Sequence, residues 1–347
     1  MLIRDEILDW LREDDPGVLE ELWSLADTVR HCCVGDAVHL RGLIEISSHC
    51  CRQCTYCGLR AGHQGIERYR MTEDEIIACA HEAVRLGYGT VVMQSGEDYG
   101  MEASWIARVI REIKRQTPLA VTLSLGERGD DELRLWKDAG ADRYLLRFET
   151  SDRGLYDMIH PSRNGLVSDR PAMLRRLREI GYEIGSGVMA GIPGQTFQSV
   201  ADDIQLFEDL DLDMIGIGPF IPHPDTPLGR ESWSRSLCGG EQVPNTELMV
   251  YKLVALTRIT CPQANIPSTT ALATINKASG REWGLKRGAN VVMPNLTPTK
   301  YRALYEIYPG KVCITETAQQ CNGCLRGRIK SIGRHVGSGP GARRREP

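Results

Sequence analysis

No stretch of about 18 consecutive apolar residues occurs anywhere in the 347-residue chain, so no membrane-spanning helix is written into it. The opening residues, Met1 to Asp15, are acidic and amphipathic, unlike the basic and then apolar start of an export signal, and a cytoplasmic protein is expected. A basic surplus is missing too. Lys plus Arg number 42 against 46 for Asp plus Glu, a net charge of -4, which argues against a nucleic-acid or anionic-membrane binder. The chain is not short of apolar residues: 41% are hydrophobic and 25% charged, an ordinary globular balance with material for a sizeable core. What is abundant is cysteine, 12 residues. Without an export signal, metal or redox chemistry explains them better than a disulfide framework.

The cysteines are unevenly spread. Cys50, Cys51, Cys54 and Cys57 fall together, as do Cys313, Cys321 and Cys324, while Cys32, Cys33, Cys79, Cys238 and Cys261 stand apart. Cys79 lies in an apolar helical run and reads as a small buried hydrophobe. From about Val38, short β-branched runs alternate with helical stretches. Strands are expected at Leu40–Ile46, Thr90–Gln94, Ala120–Leu125, Arg143–Phe148, Ile184–Met189, Met214–Gly218, weakly at Ala264–Ile266, and at Asn290–Met293. The clearest helix runs from Thr72 to Leu86, opened by a Thr72/Glu75 capping box and stopped by Gly87. Strict alternation implies an α/β fold with a parallel sheet, and a closed (βα)8 TIM-type barrel leaves no edge. A doubly wound open sheet would want Gly-x-Gly-x-x-Gly after the first strand, where four cysteines stand instead. The expected organisation is a helical extension over 1–37, which plugs or buttresses the barrel's bottom, the barrel over 38–310, a cysteine-bearing segment over 311–325, and a mobile Gly- and Arg-rich tail over 326–347.

Cys50-x3-Cys54-x2-Cys57 follows the first strand, at the barrel end where active sites are built. Three thiolates can hold a 4Fe-4S cube and leave one iron open for another ligand. Cys51-x2-Cys54-x2-Cys57 also fits the start of a ferredoxin run, and Cys50 or Cys51 could enter a four-cysteine zinc site. The spacing, with Tyr56 before the last cysteine, resembles the signature of the radical S-adenosylmethionine (SAM) superfamily. The resemblance implies that SAM chelates the open iron and is cleaved reductively to a 5'-deoxyadenosyl radical. Gln94-Ser95-Gly96-Glu97, ending strand two, is similar to the superfamily segment whose backbone and carboxylate hold the SAM ammonium.

Longer strings are similar to the HydE family, radical SAM maturases that help build the di-iron subcluster of FeFe-hydrogenase. These are Thr122–Glu127, Ala139–Arg147, Gly191–Thr196, Gly216–Pro227 and Val292–Asn295, and the likeness spans about Val34 to Cys324. It implies SAM contacts at Ser124, Glu149, Arg170 and Tyr305, and an anion-binding floor at Arg147, Thr269 and Thr270 beside Thr122, with Met293 lining the same space. An inward arginine is costly unless it meets a partner such as Glu149 or an anionic substrate. The implied substrate is a small organometallic one, an iron-carbonyl-cyanide-cysteine complex supplied by a tyrosine-cleaving sister maturase. Reduced ferredoxin or flavodoxin as electron donor, transient contact with sister maturases, and a monomeric state are implied as well.

Where the family is expected to carry Arg-His-Glu-Thr, this chain has Arg147-Phe148-Glu149-Thr150; strand alternation turns Phe148 toward the helices and Arg147 and Glu149 to the other face. Cys313, Cys321 and Cys324 resemble the family's auxiliary cluster site, 2Fe-2S or 4Fe-4S and dispensable for maturation, with zinc as the rival. Competing functions are a methylornithine-synthase-like or biotin-synthase-like barrel enzyme and, from another class, an iron-sulfur scaffold or electron carrier.

Overall fold

The computed structural model describes residues 2–163, 165, 168–230 and 241–343. Cys238 and the last four residues of the expected tail lie outside them. The sheet is parallel throughout, in the order β6-β5-β4-β3-β2-β1-β7, with β1 Ala37–Ser47, β2 Thr90–Ser95, β3 Ala120–Ser124, β4 Arg143–Leu145, β5 Glu183–Ala190, β6 Met214–Pro219 and β7 Val291–Val292. The eighth stave, 264–268, is not a regular strand, yet it closes the ring on both sides. Ile215 N–H donates to Asn265 O (3.0 Å) and Asn265 N–H to Asp213 O (2.9 Å), while Ser268 N–H donates to Val291 O (2.9 Å).

Period-two alternation sorts the side chains. On β1, Arg41, Leu43 and Glu45 point into the barrel, while Leu40, Ile44 and Ile46 join the apolar layer under the helices. β2 and β3 repeat the pattern, with Val92, Gln94, Thr122 and Ser124 inward and Val91, Met93, Val121 and Leu123 outward. Helix Glu73–Arg85 begins as expected: Thr72 Oγ1 accepts from Glu75 N–H (3.3 Å), and Glu75 accepts from Thr72 N–H (2.9 Å).

β4 ends three residues earlier than expected because a hydroxyl enters its ladder. Ser186 Oγ accepts from Phe148 N–H (3.1 Å) and donates to Leu146 O (2.9 Å). The chain then passes through Glu149 at φ 62°, a left-handed conformation that costs a non-glycine residue about 1–2 kcal/mol. Phe148 packs outward, its ring 5.6 Å from Phe207 on helix Phe197–Asp209.

At the barrel's lower end one of the two roles expected of the N-terminal extension drops out, and the expectation for the tail is corrected. The N-terminal helices Arg4–Arg12 and Pro16–Val34 do not plug it; they lie on helices Phe197–Asp209 and Glu247–Thr260, tied by Arg4 to Asp202 (2.6 Å) and by Lys252 Nζ to Leu11 O (3.1 Å). The plug is the segment expected to be mobile. After helix Ala318–Ser331, β8 His335–Val336 pairs with the start of β1, and residues 337–343 run beneath the strand ends. There Pro340 O accepts from Thr90 Oγ1 (3.0 Å) and Arg143 Nη2 (3.3 Å), and Gly341 O from Arg41 Nη2 (3.0 Å) and Asn265 Nδ2 (3.1 Å). Glycine makes this possible: a Cβ on Gly89 would stand 1.8 Å from Gly339 O.

Candidate active site

The first cysteine loop is held from four directions. Thr55 N–H donates to Ile159 O (2.8 Å), Leu228 N–H to Thr55 O (2.9 Å), Gly58 N–H to Ile307 O (3.0 Å) and Cys51 N–H to Glu97 O (2.9 Å). Arg68 bonds the carbonyls of Ser48 (2.5 Å) and Leu59 (2.8 Å), closing the loop on itself. Gly96 is required by close approach, since a Cβ there would lie 2.3 Å from His49 O and 2.7 Å from Cys50 Cβ. Beneath the loop is a cavity of about 350 Å³. Cys50, Tyr56 and Cys57 line it from above, and Gln94, Ser95, Gly96 and Ser124 from the ends of β2 and β3. Arg147, Glu149, Thr122, Thr269, Thr270, Met293 and Tyr305 line its wall and floor, so the structure brings together most of the expected site residues.

Three of them stand elsewhere. Cys54 is buried behind the loop. Glu97 and Arg170 belong to an ion-pair network outside the cavity lining. Arg52 Nε meets Glu97 Oε1 (2.6 Å), Arg52 Nη2 meets Glu127 Oε2 (2.8 Å), and Arg170 Nε meets Glu127 Oε1 (3.0 Å). Arg170 also donates to Arg147 O (2.5 Å) and to His160 Nε2 (2.6 Å). That bond places the imidazole proton on Nδ1, facing Tyr156 Oη at 3.2 Å. Burial and Arg170 keep His160 neutral, with its pKa lowered to about 3. Burial opposes ionisation of Glu127, but Arg170, the Ser168 hydroxyl and Arg52 outweigh it and hold the carboxyl below its ordinary range.

The cavity itself is electrostatically unfinished. Among the described residues, Arg147 Nη2 lies 3.0 Å from Glu149 Oε2 and donates to Val188 O (2.6 Å), but its buried Nε finds no hydrogen-bond partner. Thr122 Oγ1 is equally buried and unpartnered. Burial raises the Glu149 carboxyl above its usual range against the pull of Arg147 and Arg170. Desolvation also pushes the thiols of Cys50, Cys54 and Cys57 up, Cys57 to about 12, so thiolates here need a cation among them. Among the described residues no three Cys, His, Asp or Glu side chains converge as ligands of a single ion. Three thiols on one short loop, Cys50, Cys54 and Cys57, are the donor set that a 4Fe-4S cube with one open iron takes. The orphaned polar atoms facing the cavity fit a polar ligand beside it.

The radical SAM superfamily model matches residues 44–207. The maturase subunit HydE of the [FeFe] hydrogenase from Thermotoga maritima is 45% identical over 342 residues, 99% of this chain and 94% of that protein. This chain belongs to the HydE family of radical SAM enzymes. As a family member it takes a 4Fe-4S cluster and SAM. 3-Methylornithine synthase of Methanosarcina acetivorans is 27% identical over 290 residues, covering 83% of this chain and 78% of that one. This chain shares its fold with crystal structures of methylornithine synthase PylB (TM-score 0.80, 23% identity, 97% and 94% of the two chains) and of the hydrogenase maturase HydG (TM-score 0.78, 18% identity, 95% and 72%).

The second cysteine group lies beside the barrel. Cys313, at φ 62°, and Cys321 on helix Ala318–Ser331 bring their sulfurs to 4.0 Å; Cys324 is exposed. The hydrogen bond from Cys321 lowers the Cys313 thiol pKa to about 6 and raises that of Cys321. Residues that sequence reasoning missed include Arg41 and Glu45, whose inward parity on β1 is visible beside Leu43. Tyr308 and Lys311 also line the cavity, from an irregular segment that carries no periodic signal. No helix among the described residues is long and apolar enough to cross a membrane.

Proposed function

We propose that this HydE-family enzyme cleaves SAM reductively and uses the resulting radical on an anionic iron-carbonyl-cyanide complex carrying a cysteine ligand, in assembly of the di-iron subcluster of FeFe-hydrogenase. The observation that carries the reading is one cavity with two of the three motif thiols at its mouth and unsatisfied cationic and hydroxyl groups at its floor. Bound there, the cluster and SAM supply an electron and a 5'-deoxyadenosyl radical. Cys50, Cys54 and Cys57 hold the cluster and leave one iron to SAM. Gln94, Ser95, Gly96, Ser124, Glu149 and Tyr305 surround the nucleotide. Arg147, Thr122, Thr269 and Thr270 receive the substrate's negative charge, since a guanidinium lining a narrow cavity gains more from an anion than one in open water. Met293 packs against it.

Glu97 and Arg170 act from behind, keeping Arg52 and Arg147 in place. Cys313, Cys321 and Cys324 carry the auxiliary cluster, 2Fe-2S or 4Fe-4S. The enzyme works as a cytoplasmic monomer, receives electrons from reduced ferredoxin or flavodoxin, and meets its sister maturases transiently. The test is anaerobic reconstitution with iron and sulfide, then dithionite and SAM, with 5'-deoxyadenosine as product. Cys50→Ala and Cys54→Ala should make none, and an unaltered enzyme that also makes none sinks the proposal.

A further inference from the structure

Residues 303–312 form a loop between helix Thr299–Arg302 and Cys313, and four of its side chains, Tyr305, Ile307, Tyr308 and Lys311, line the cavity. One residue pins both its ends. Arg302 ends the helix and its Nη1 donates to Cys313 O (3.0 Å) and Glu316 O (2.6 Å), while Nε and Nη2 hold Thr297 O (2.6 Å) and Asn295 O (2.9 Å). With its base closed in this way, the loop behaves as an Ω-loop whose inner face needs its own attachment. Gly58 N–H, next to Cys57, grips Ile307 O (3.0 Å). Val312 N–H donates to Thr274 Oγ1 (3.4 Å), and a further attachment is ionic: Lys311 Nζ reaches Glu45 Oε1 on β1 inside the barrel, with both side chains buried. Glu45 is itself fixed, because its Oε2 accepts from Asn295 Nδ2 (3.0 Å) and its N–H donates to Thr297 Oγ1 (2.8 Å). The Lys311 ammonium also lies 5.3 Å from the centre of the Tyr305 ring, whose hydroxyl accepts from Gln94 Nε2 (3.2 Å).

From this chain of contacts we infer that Glu45 and Lys311 form a latch that holds loop 303–312 as a wall of the cavity, and that Lys311 is a positioning residue for Tyr305 and through it for SAM. The inference rests on the reading of the cavity as the SAM chamber. A buried ion pair suits a latch, because removing either partner strands the other charge in a dry interior and drives the segment out to find water. Removing both leaves no stranded charge, and the carboxamide introduced by Glu45→Gln can still accept from Asn295 Nδ2.

Hydrogen exchange and SAM binding test the inference on full-length Lys311→Met, Glu45→Gln and Glu45→Gln/Lys311→Met proteins. In the protein as purified, amides of 303–312 should exchange at least about tenfold faster in each single variant while the barrel strands keep their protection. After cluster reconstitution, SAM affinity, read from its perturbation of the reduced cluster's electron paramagnetic resonance spectrum, should weaken about tenfold. The double variant, which folds without a stranded charge, should keep the weakened SAM affinity. Unchanged exchange over 303–312 in the single variants overturns the latch. Faster exchange with SAM affinity unaltered overturns the positioning role. If the unaltered protein shows no response to SAM while the variants exchange faster, the latch stands and the SAM reading beneath it falls.

Discussion

Cutting the chain after Gly337 keeps β8 and removes residues 338–347, of which the described ones, 338–343, carry none of the apolar core. If that segment were a loose tail, stability would not change. The contacts say otherwise. Four donors lose one acceptor each, Thr90 Oγ1, Asn265 Nδ2, and the guanidinium groups of Arg41 and Arg143, and the cut also takes away Arg343, whose Nη1 lies 2.6 Å from Asp211 Oδ1. At about 1 kcal/mol for each neutral donor and about 2 for each charged one, the loss is roughly 6 kcal/mol if the site stays dry and about half that if water enters. Since the cut opens the barrel floor, the smaller figure applies, and the melting temperature of a chain this long should fall by roughly 4 °C. Thermal melts of the reduced, cluster-free protein by circular dichroism measure this. A second perturbation deletes nothing. Gly89→Ala places a Cβ whose three nearest neighbours all belong to Gly339 and Pro340, so it should destabilise the full-length chain by about 1–3 kcal/mol and the truncated one much less. A truncated protein melting within about 1 °C of the full chain, or a Gly89→Ala cost equal in both backgrounds, refutes the plug.

Three other outcomes follow from the same geometry. Gly96→Ala should fold but fail to retain iron at the first cysteine loop, because the new Cβ meets His49 O and Cys50 Cβ; iron content and the cluster spectrum read this, and normal loading would refute it. Cys321→Ala should lose metal at the second site yet form 5'-deoxyadenosine within about twofold of normal, and complete loss of hydrogenase maturation would show that site to be essential. Asp203 is buried and its pKa is raised from 3.8 to about 8, first by desolvation, so the folded state keeps a proton that the unfolded state releases. Its contribution is therefore present at acid pH and lost as pH rises toward 8, with a limiting slope of about 1.4 kcal/mol per unit. Asp203→Asn should flatten that dependence and gain stability over the parent at pH 8, measured by urea titration; parallel pH profiles would refute the assignment.

The barrel was legible because its signals are local and repeated. β-Branched runs bounded by glycines mark seven staves, and the Thr72 box starts its helix where it should. The stave at 264–268 reads weakly because it works with side chains as well as backbone: Asn290 Oδ1 accepts from Ile266 N–H (2.9 Å), and Asn290 Nδ2 donates to Asn265 Oδ1 (3.0 Å). The plug was misread for a related reason. A segment with little apolar content is expected to stay in water, but this one offers carbonyls to buried arginines, and nothing in its own composition reports where those arginines are.

The site divides along the same line. Alternation assigns Arg147 and Glu149 to the cavity face and Phe148 to the helix face, and the side chains do lie so, although β4 ends at Leu145 and Glu149 reaches the cavity through a left-handed turn. It is silent on whether a charged side chain at a strand end turns inward to a ligand or sideways to another loop. Glu97 follows β2, and Arg170 opens helix Arg170–Ile180; both turn sideways, because Arg52 and Glu127 reach them first at 2.6 to 3.0 Å. Arg52 sits between the second and third of the four clustered cysteines, so the network that absorbs Glu97 and Arg170 is part of what orders the cysteine loop. Glu97→Gln takes the charge from the Arg52 ion pair and should therefore change the cluster's electron paramagnetic resonance spectrum in the absence of SAM; a spectrum identical to that of the unaltered protein would refute the role assigned to this network.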